Sequence, residues 1–222
     1  MAVPSDSGDQ SRAPEPRWPA LIAVMAVGGL DLALRSDLVI GPPWLVPSAA
    51  VLLMVPTVIS HQLGRHHLDR WLGFAVTAVV TLGMIASLVL LVAGLPSGRQ
   101  SATELLVSAA SLWITNIVVF ALWYWRLDAG GPHGRDSRVR HEEGAFLFPQ
   151  MTMSPRLKMS VGQRDWSPNF VDYLFLAFNT STAFSPTDTP ALTRWAKVLM
   201  MIQSLISLGV LVLLAARAVN IF

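Results

Sequence analysis

The stretch that decides the fold is WLGFAVTAVVTLGMIASLVLLVAGL, residues 71–95, which contains no Asp, Glu, Lys or Arg. In hydrocarbon, backbone polar groups have to pair within their own segment, so an unbroken apolar run of about 20 residues is long enough to cross a bilayer as a helix. Residues 71–95 therefore predict a membrane-spanning α-helix.

The composition of the whole chain agrees with this prediction. Of the 222 residues, 53% are hydrophobic and 14% are charged, with a mean hydropathy of +0.51. Soluble domains carry about 25% charged residues, so this chain has too few to cover a water-facing surface. The absence of cysteine excludes disulfides and thiolate chemistry. The net charge of +2 is too small to indicate nucleic-acid binding.

Four more apolar runs accompany the first, at residues 18–34, 44–60, 105–125 and 198–219. Indole rings favour the headgroup level of a bilayer, and tryptophans mark the ends of the runs: Trp18, Trp44, Trp71, Trp123, Trp125 and Trp195. We predict an all-α protein, an integral membrane helical bundle of six helices: five long spans and one short or re-entrant helix.

The sixth helix is predicted in FVDYLFLAFNTSTAFSPTDTP, residues 170–190. Its apolar part, residues 170–184, would be about 22 Å long as a helix, whereas the hydrocarbon core is about 30 Å thick. The segment is therefore either a short tilted span or a re-entrant half-helix buried against other helices.

Lysine and arginine favour cytoplasmic loops and so predict the topology. They are concentrated in residues 61–70 and 126–167, which we place in the cytoplasm together with the N-terminus. Arg217 favours a cytoplasmic C-terminus as well, and residues 170–184 would then have to cross. We predict four regions: a disordered cytoplasmic tail (1–17), a four-helix transmembrane region (18–126), a polar cytoplasmic loop (127–167) with an apolar island at 145–149, and a channel-like helical hairpin (168–222).

Eight residues in the apolar runs and in the turn before the last run, all polar except Phe184, are candidates for lining a pathway: Asn179, Thr180, Ser181, Thr182, Phe184, Ser185, Asp188 and Gln203. The ordinary alternative for an amide such as Gln203 is a hydrogen bond between helices. Three charged groups lie within or beside the runs. Asp31 and Arg35 have the spacing of a neutralised pair near the interface, and Asp172 lies where an acid favours the helix dipole.

No nucleophile elbow, phosphate-binding glycine loop or zinc signature is present in the sequence. We therefore expect no enzymatic activity, no catalytic residues, no metal site and no cofactor.

Residues 172–220 resemble the pore module of two-transmembrane cation channels. Asp172 and Tyr173 resemble the start of the pore helix, 180–182 the threonine-rich approach to a filter, and Pro190 with Arg194 the start of the inner helix. A potassium filter would have Gly-Tyr-Gly where this chain has Ala-Phe-Ser-Pro at 183–186. Because successive filter carbonyls need glycine to face the ion, the resemblance does not extend to potassium selectivity.

A second resemblance covers nearly the whole chain. The strings ALWYWRLDAGGP (121–132), FLFPQM (146–151), TAFSPTDT (182–189), RWAK (194–197) and ARAVNI (216–221) are similar to those of an uncharacterised family of bacterial, mainly actinobacterial, multi-pass membrane proteins. That resemblance implies a bacterial plasma membrane. Two functions stay open: an ion or small-solute pore formed by a homo-oligomer in the lipid bilayer, and a non-conducting scaffold or partner subunit that binds through 127–167.

Overall fold

A computed structural model of the chain describes residues 15–34, 38–62, 66–94, 101–138, 143–164, 166–182 and 189–219. In these ranges the fold is all-helical, with nine α-helices and a 3₁₀ turn at Asp128–Gly130. The helices are α1 (Trp18–Ala33), α2 (Leu45–Gln62), α3 (His66–Gly94), α4 (Ala102–Leu127), α5 (Gly131–Asp136), α6 (Pro149–Thr152), α7 (Pro155–Ser160), α8 (Phe170–Thr182) and α9 (Arg194–Val219).

In the described ranges, α3, α4 and α9 are long and apolar enough to cross a membrane. The apolar stretches are Leu68–Gly94 in α3, Thr103–Asp136, which begins in α4 and continues through the turn into α5, and Arg194–Ala216 in α9. Trp18–Leu32 and Leu45–Val55 are shorter apolar helices. Of the six tryptophans predicted at the interface, Trp18, Trp44 and Trp71 are 63–69% exposed. The other three pack against or within the core: Trp123, Trp125 and Trp195. The all-helical prediction is therefore confirmed. Of the five predicted long spans, three are long and apolar enough to cross a membrane, and the count of six membrane helices stays a prediction.

Local sequence explains where α4 begins and ends. Ser101 and Glu104 form a capping box, in which each side chain accepts a hydrogen bond from the backbone N–H of the other residue. After Leu127 the chain turns sharply at Gly130 and Gly131, whose φ angles of +83° and +80° favour glycine. This turn brings α5 back against the last turn of α4.

The first four helices run alternately up and down. Arg17, just before α1, forms an ion pair with Asp69 in the first turn of α3, and Arg126 at the end of α4 reaches Thr77 of α3. We call the end of the bundle that contains Arg17, Asp69 and Arg126 the basic end. Residues 15–17, the start of α3 and the residues after α4 thus share one end, as the distribution of lysine and arginine predicted.

Helix α8 lies beside α9. Phe146 lies beside Tyr173 in the first turn of α8 and Trp195 in the first turn of α9, with ring centroids 6.3 and 6.0 Å apart. Eight residues further along each helix, Ser181 of α8 accepts a hydrogen bond from Gln203 of α9 at 2.7 Å. The two helices therefore run parallel, and both begin at the basic end.

In the described residues, α8 and α9 therefore do not form an antiparallel hairpin, and the crossing of residues 170–184 stays a prediction. Thr182 ends α8 inside the bundle, while the described chain resumes at Thr189 near the end where α8 began. Burial among α4 and α9 lets a short polar helix stop at this depth because its side chains find partners there. The end of α9, which contains Arg217, lies at the opposite end of the bundle.

The predicted polar loop also differs from a simple solvent-exposed connection. Ala145, Phe146 and Phe148 are buried, and Phe146 and Ala191 form an isolated antiparallel bridge. The apolar island thus packs into the bundle, because its aromatic rings fill the space between the starts of α8 and α9 and the end of α4.

Candidate functional site

Gln203 occupies the centre of the contact between α4, α8 and α9. Its side chain is fully buried and accepts a hydrogen bond from the hydroxyl of Tyr124 at 2.6 Å. Its Nε2 donates to the carbonyl of Ala177 and to the Ser181 hydroxyl, both at 2.7 Å. One amide therefore holds three helices together, which is the role of structural glue that the sequence left open.

Asn116 extends this polar centre along α4. Its Nδ2 donates to the backbone carbonyl of Gln203 at 3.2 Å and to the hydroxyl of Ser207 at 2.8 Å. Ser204, the next residue of α9, donates to the carbonyl of Thr180 at 3.2 Å. The polar groups of α8 and α9 that lie deepest in the bundle are thus bonded within one copy of the chain.

The predicted lining residues divide into three groups. Thr180, Ser181 and Gln203 are buried inside the chain. Asn179 and Thr182 are half-buried at the end of α8, where Thr182 donates to the carbonyl of Asn179 at 3.1 Å. The remaining candidates lie outside the described residues: Phe184, Ser185 and Asp188. Among the described candidates, only Asn179 and Thr182 present surface at the end of α8.

The predicted charged residues do not form a common site. Asp31 is buried in α1, and its Oδ2 has no hydrogen-bond partner among the described residues. Arg35, its proposed partner, lies outside those residues. Asp172 accepts a hydrogen bond from the backbone N–H of Asn169 at 2.8 Å, which is the N-terminal helical role expected for an acid in the first turn.

A second buried polar group, which we call the Arg135 cluster, consists of Glu15, Asp128, Arg135 and Tyr173. Arg135 is 3% exposed and forms an ion pair with Glu15, whose Oε2 lies 2.9 Å from Nη2. The guanidinium lies 5.0 Å from the ring centroid of Tyr173, and the Tyr173 hydroxyl donates to Asp128 at 2.7 Å. The cluster connects the chain before α1 with α5 and the start of α8.

Charge in the cluster is well compensated by hydrogen bonds. Arg135 also donates to the carbonyls of Trp125 and Asp128 at 2.9 and 3.0 Å, and the Trp125 indole donates to Glu15. Burial raises the pKa of Glu15 above its ordinary value of 4.5, although the charge of Arg135 acts in the opposite direction. We infer that this cluster stabilises the basic end of the bundle, because it holds together the segments that meet there.

Sequence reasoning missed Asp128, Arg135 and Tyr124 as members of buried polar groups. Each lies next to predicted polar loop or interfacial sequence, where solvent exposure is the default expectation. The one available signal was the apolar island at 145–149, because its aromatic rings indicate that part of the polar stretch packs against the helices.

In the described ranges, no group of three or more His, Asp or Glu side chains is placed to hold a metal ion. In comparisons with known proteins, no family model, curated protein or solved structure matches the chain. We therefore infer the function from the geometry of the bundle.

Proposed function

We propose that the protein is a multi-pass protein of the bacterial plasma membrane in which α1–α4 and α9 cross the bilayer and α8 is a re-entrant pore helix. Several copies would assemble into a pathway for a cation or a small solute. The observation that supports this proposal is the parallel start of α8 and α9 at one end, with α8 ending inside the bundle beside Gln203.

A helix that ends at membrane depth can provide a binding site for a cation. Backbone that leaves a helix there is tolerated only when it is buried in protein or lines a water-filled cavity. The last carbonyls of a helix lack intrahelical partners and carry a partial negative charge, which favours a cation. Discontinuous helices serve as ion sites in transporters for the same reason. The end of α8, with Asn179 and Thr182, is the proposed constriction.

The test is cation flux from liposomes that contain the purified chain. Thr182→Val should change the flux several-fold, because it removes a hydroxyl at the proposed constriction. Thr152→Val is the matched control: Thr152 is exposed in α6, outside the bundle, so the same chemical change should leave the flux unaltered. Flux no higher than in protein-free liposomes, at several copies per vesicle, would contradict the pore.

A non-conducting scaffold or partner subunit is the second candidate. It is favoured by the hydrogen bonds of Ser181 and Gln203 within one chain, which leave those groups no need for a second copy. It is also favoured by α7, where Leu157 and Met159 are 46% and 63% exposed and available to a partner. A purified chain that is monomeric in detergent and passes no cation would support this function over the pore.

A further inference from the structure

A cavity of about 380 Å³ opens at the basic end, between the first turns of α1 and α3, the last turn of α4 and the turn into α5. Its volume is within the range of small-molecule sites. Arginine side chains from four separate segments line it: Arg17, Arg70, Arg126 and Arg138. Asp69 is the one carboxylate among the described lining residues, and it is paired with Arg17. The cavity is therefore strongly positive.

The cavity also has an apolar wall. It is lined by Leu21 and Val24 of α1, Met54 of α2, and Phe74 and Val76 of α3. Arginine side chains beside apolar side chains match an amphiphile, with a polar head and an apolar body. A small water-soluble anion would leave the apolar wall without a partner.

Arg126 is held in place for a ligand. Its Nε donates to the hydroxyl of Thr77 at 3.0 Å, and its guanidinium carbon lies 5.2 Å from the centroid of the Trp125 ring. A Cβ added at Gly73 would lie 1.8 Å from Nη1, so glycine leaves the space that the guanidinium occupies. Nη1 and Nη2 make no hydrogen bond to another described residue, and Arg126 is one of the residues that line the cavity.

Two exposed arginines stand at the mouth. Arg70 lies 6.0 Å from the ring centroid of Phe74, and Arg138 donates to the backbone carbonyl of Glu143 at 3.3 Å. Within the described chain, neither side chain forms an ion pair with a carboxylate. The planar guanidinium of arginine can donate two parallel hydrogen bonds to the oxygens of a phosphate group. Basic pockets between membrane helices on the cytoplasmic side bind anionic lipid headgroups.

We propose that this cavity binds an anionic phospholipid of the inner leaflet, with its phosphate at Arg126, Arg70 and Arg138 and its apolar portion against α1 and α3. The site is separate from the end of α8, so it does not depend on whether the protein conducts. A bound lipid would bridge α1, α3 and α4 and add to the ion pair between Arg17 and Asp69.

The experiment measures lipid retention by native mass spectrometry. The full chain is purified in a neutral detergent and mixed with phosphatidylglycerol or phosphatidylcholine. The wild type should keep phosphatidylglycerol and release phosphatidylcholine. The double variant Arg70→Gln/Arg138→Gln should bind phosphatidylglycerol roughly 30-fold more weakly, about fivefold for each arginine. Both side chains are exposed, so we expect the variant to fold.

The matched control is Arg156→Gln/Arg164→Gln, which removes two exposed charges from 143–164 outside the cavity. It should retain phosphatidylglycerol as the wild type does. An equal loss in both double variants would overturn the proposal, because general charge would then explain binding. Equal retention of both lipids would also overturn it. Displacement of the lipid by millimolar inorganic phosphate would assign the site to a soluble phosphate compound instead.

Discussion

At the scale of single residues, Gln203 combines two kinds of contact that usually belong to different side chains. Its carbonyl oxygen accepts from Tyr124 and its amide donates to Ser181, so both ends of one amide are used. When the partner of a buried polar group is removed, that group has lost its hydrogen bonds to water and makes none in the protein, which lowers the stability of the fold. The main effect of removing Gln203 is therefore that the hydroxyls of Tyr124 and Ser181 would stay buried without this partner.

Replacing Gln203 by leucine should destabilise the folded chain by about 1–2 kcal/mol, because the Tyr124 and Ser181 hydroxyls lose their partner inside the bundle. The midpoint of thermal unfolding in detergent measures the effect. Gln163→Leu is the matched control, since the Oε1 of Gln163 is buried without a hydrogen-bond partner among the described residues, so the same change removes no hydrogen bond there. Equal midpoints for the two variants would show that the buried amide contributes nothing to stability.

At the scale of helices, α8 is the element whose local sequence did not determine its path. An apolar segment of 15 residues is compatible with a tilted crossing and with a re-entrant helix. The choice depends on Phe146, which packs against the first turns of α8 and α9 from a distant part of the chain. A hydropathy pattern contains no information about that contact.

The path of α8 can be tested by labelling single cysteines, because the natural chain has none. Ser160→Cys precedes α8 and Leu192→Cys follows it, whereas Ile40→Cys lies between α1 and α2 at the opposite end. All three positions are exposed. A membrane-impermeant maleimide should label positions 160 and 192 from one side of the membrane and position 40 from the other. Labelling of position 192 from the same side as position 40 would mean that α8 crosses.

At the scale of the whole molecule, large apolar side chains are exposed on several helices. Leu52 of α2, Leu82 of α3 and Leu205 of α9 are 67–74% exposed, on three separate helices. Large apolar side chains exposed along several helices mark a surface that contacts lipid or protein. Such a surface would be costly in water.

Leu205→Arg tests this arrangement. Leu205 lies about midway along α9, where an arginine in a bilayer costs about 2.5–3.5 kcal/mol. On the surface of a soluble protein the same change would usually stay within about 0.5 kcal/mol. We expect much less protein in carbonate-washed membranes for Leu205→Arg than for the wild type. Leu157→Arg, at an exposed position of α7, should have no such effect, and equal yields for both variants would contradict a lipid-facing α9.

The sequence by itself determined the long helices, their approximate ends and the concentration of basic residues at one end of the bundle. These properties are local, since a run of apolar residues favours a helix in hydrocarbon whatever the other segments of the chain do. Only the tertiary structure decided that α8 and α9 begin at the same end, that Glu15 meets Arg135 across 120 positions, and that four arginines line one cavity. Buried polar groups are stabilised by their partners, and here those partners come from distant segments that no local pattern connects.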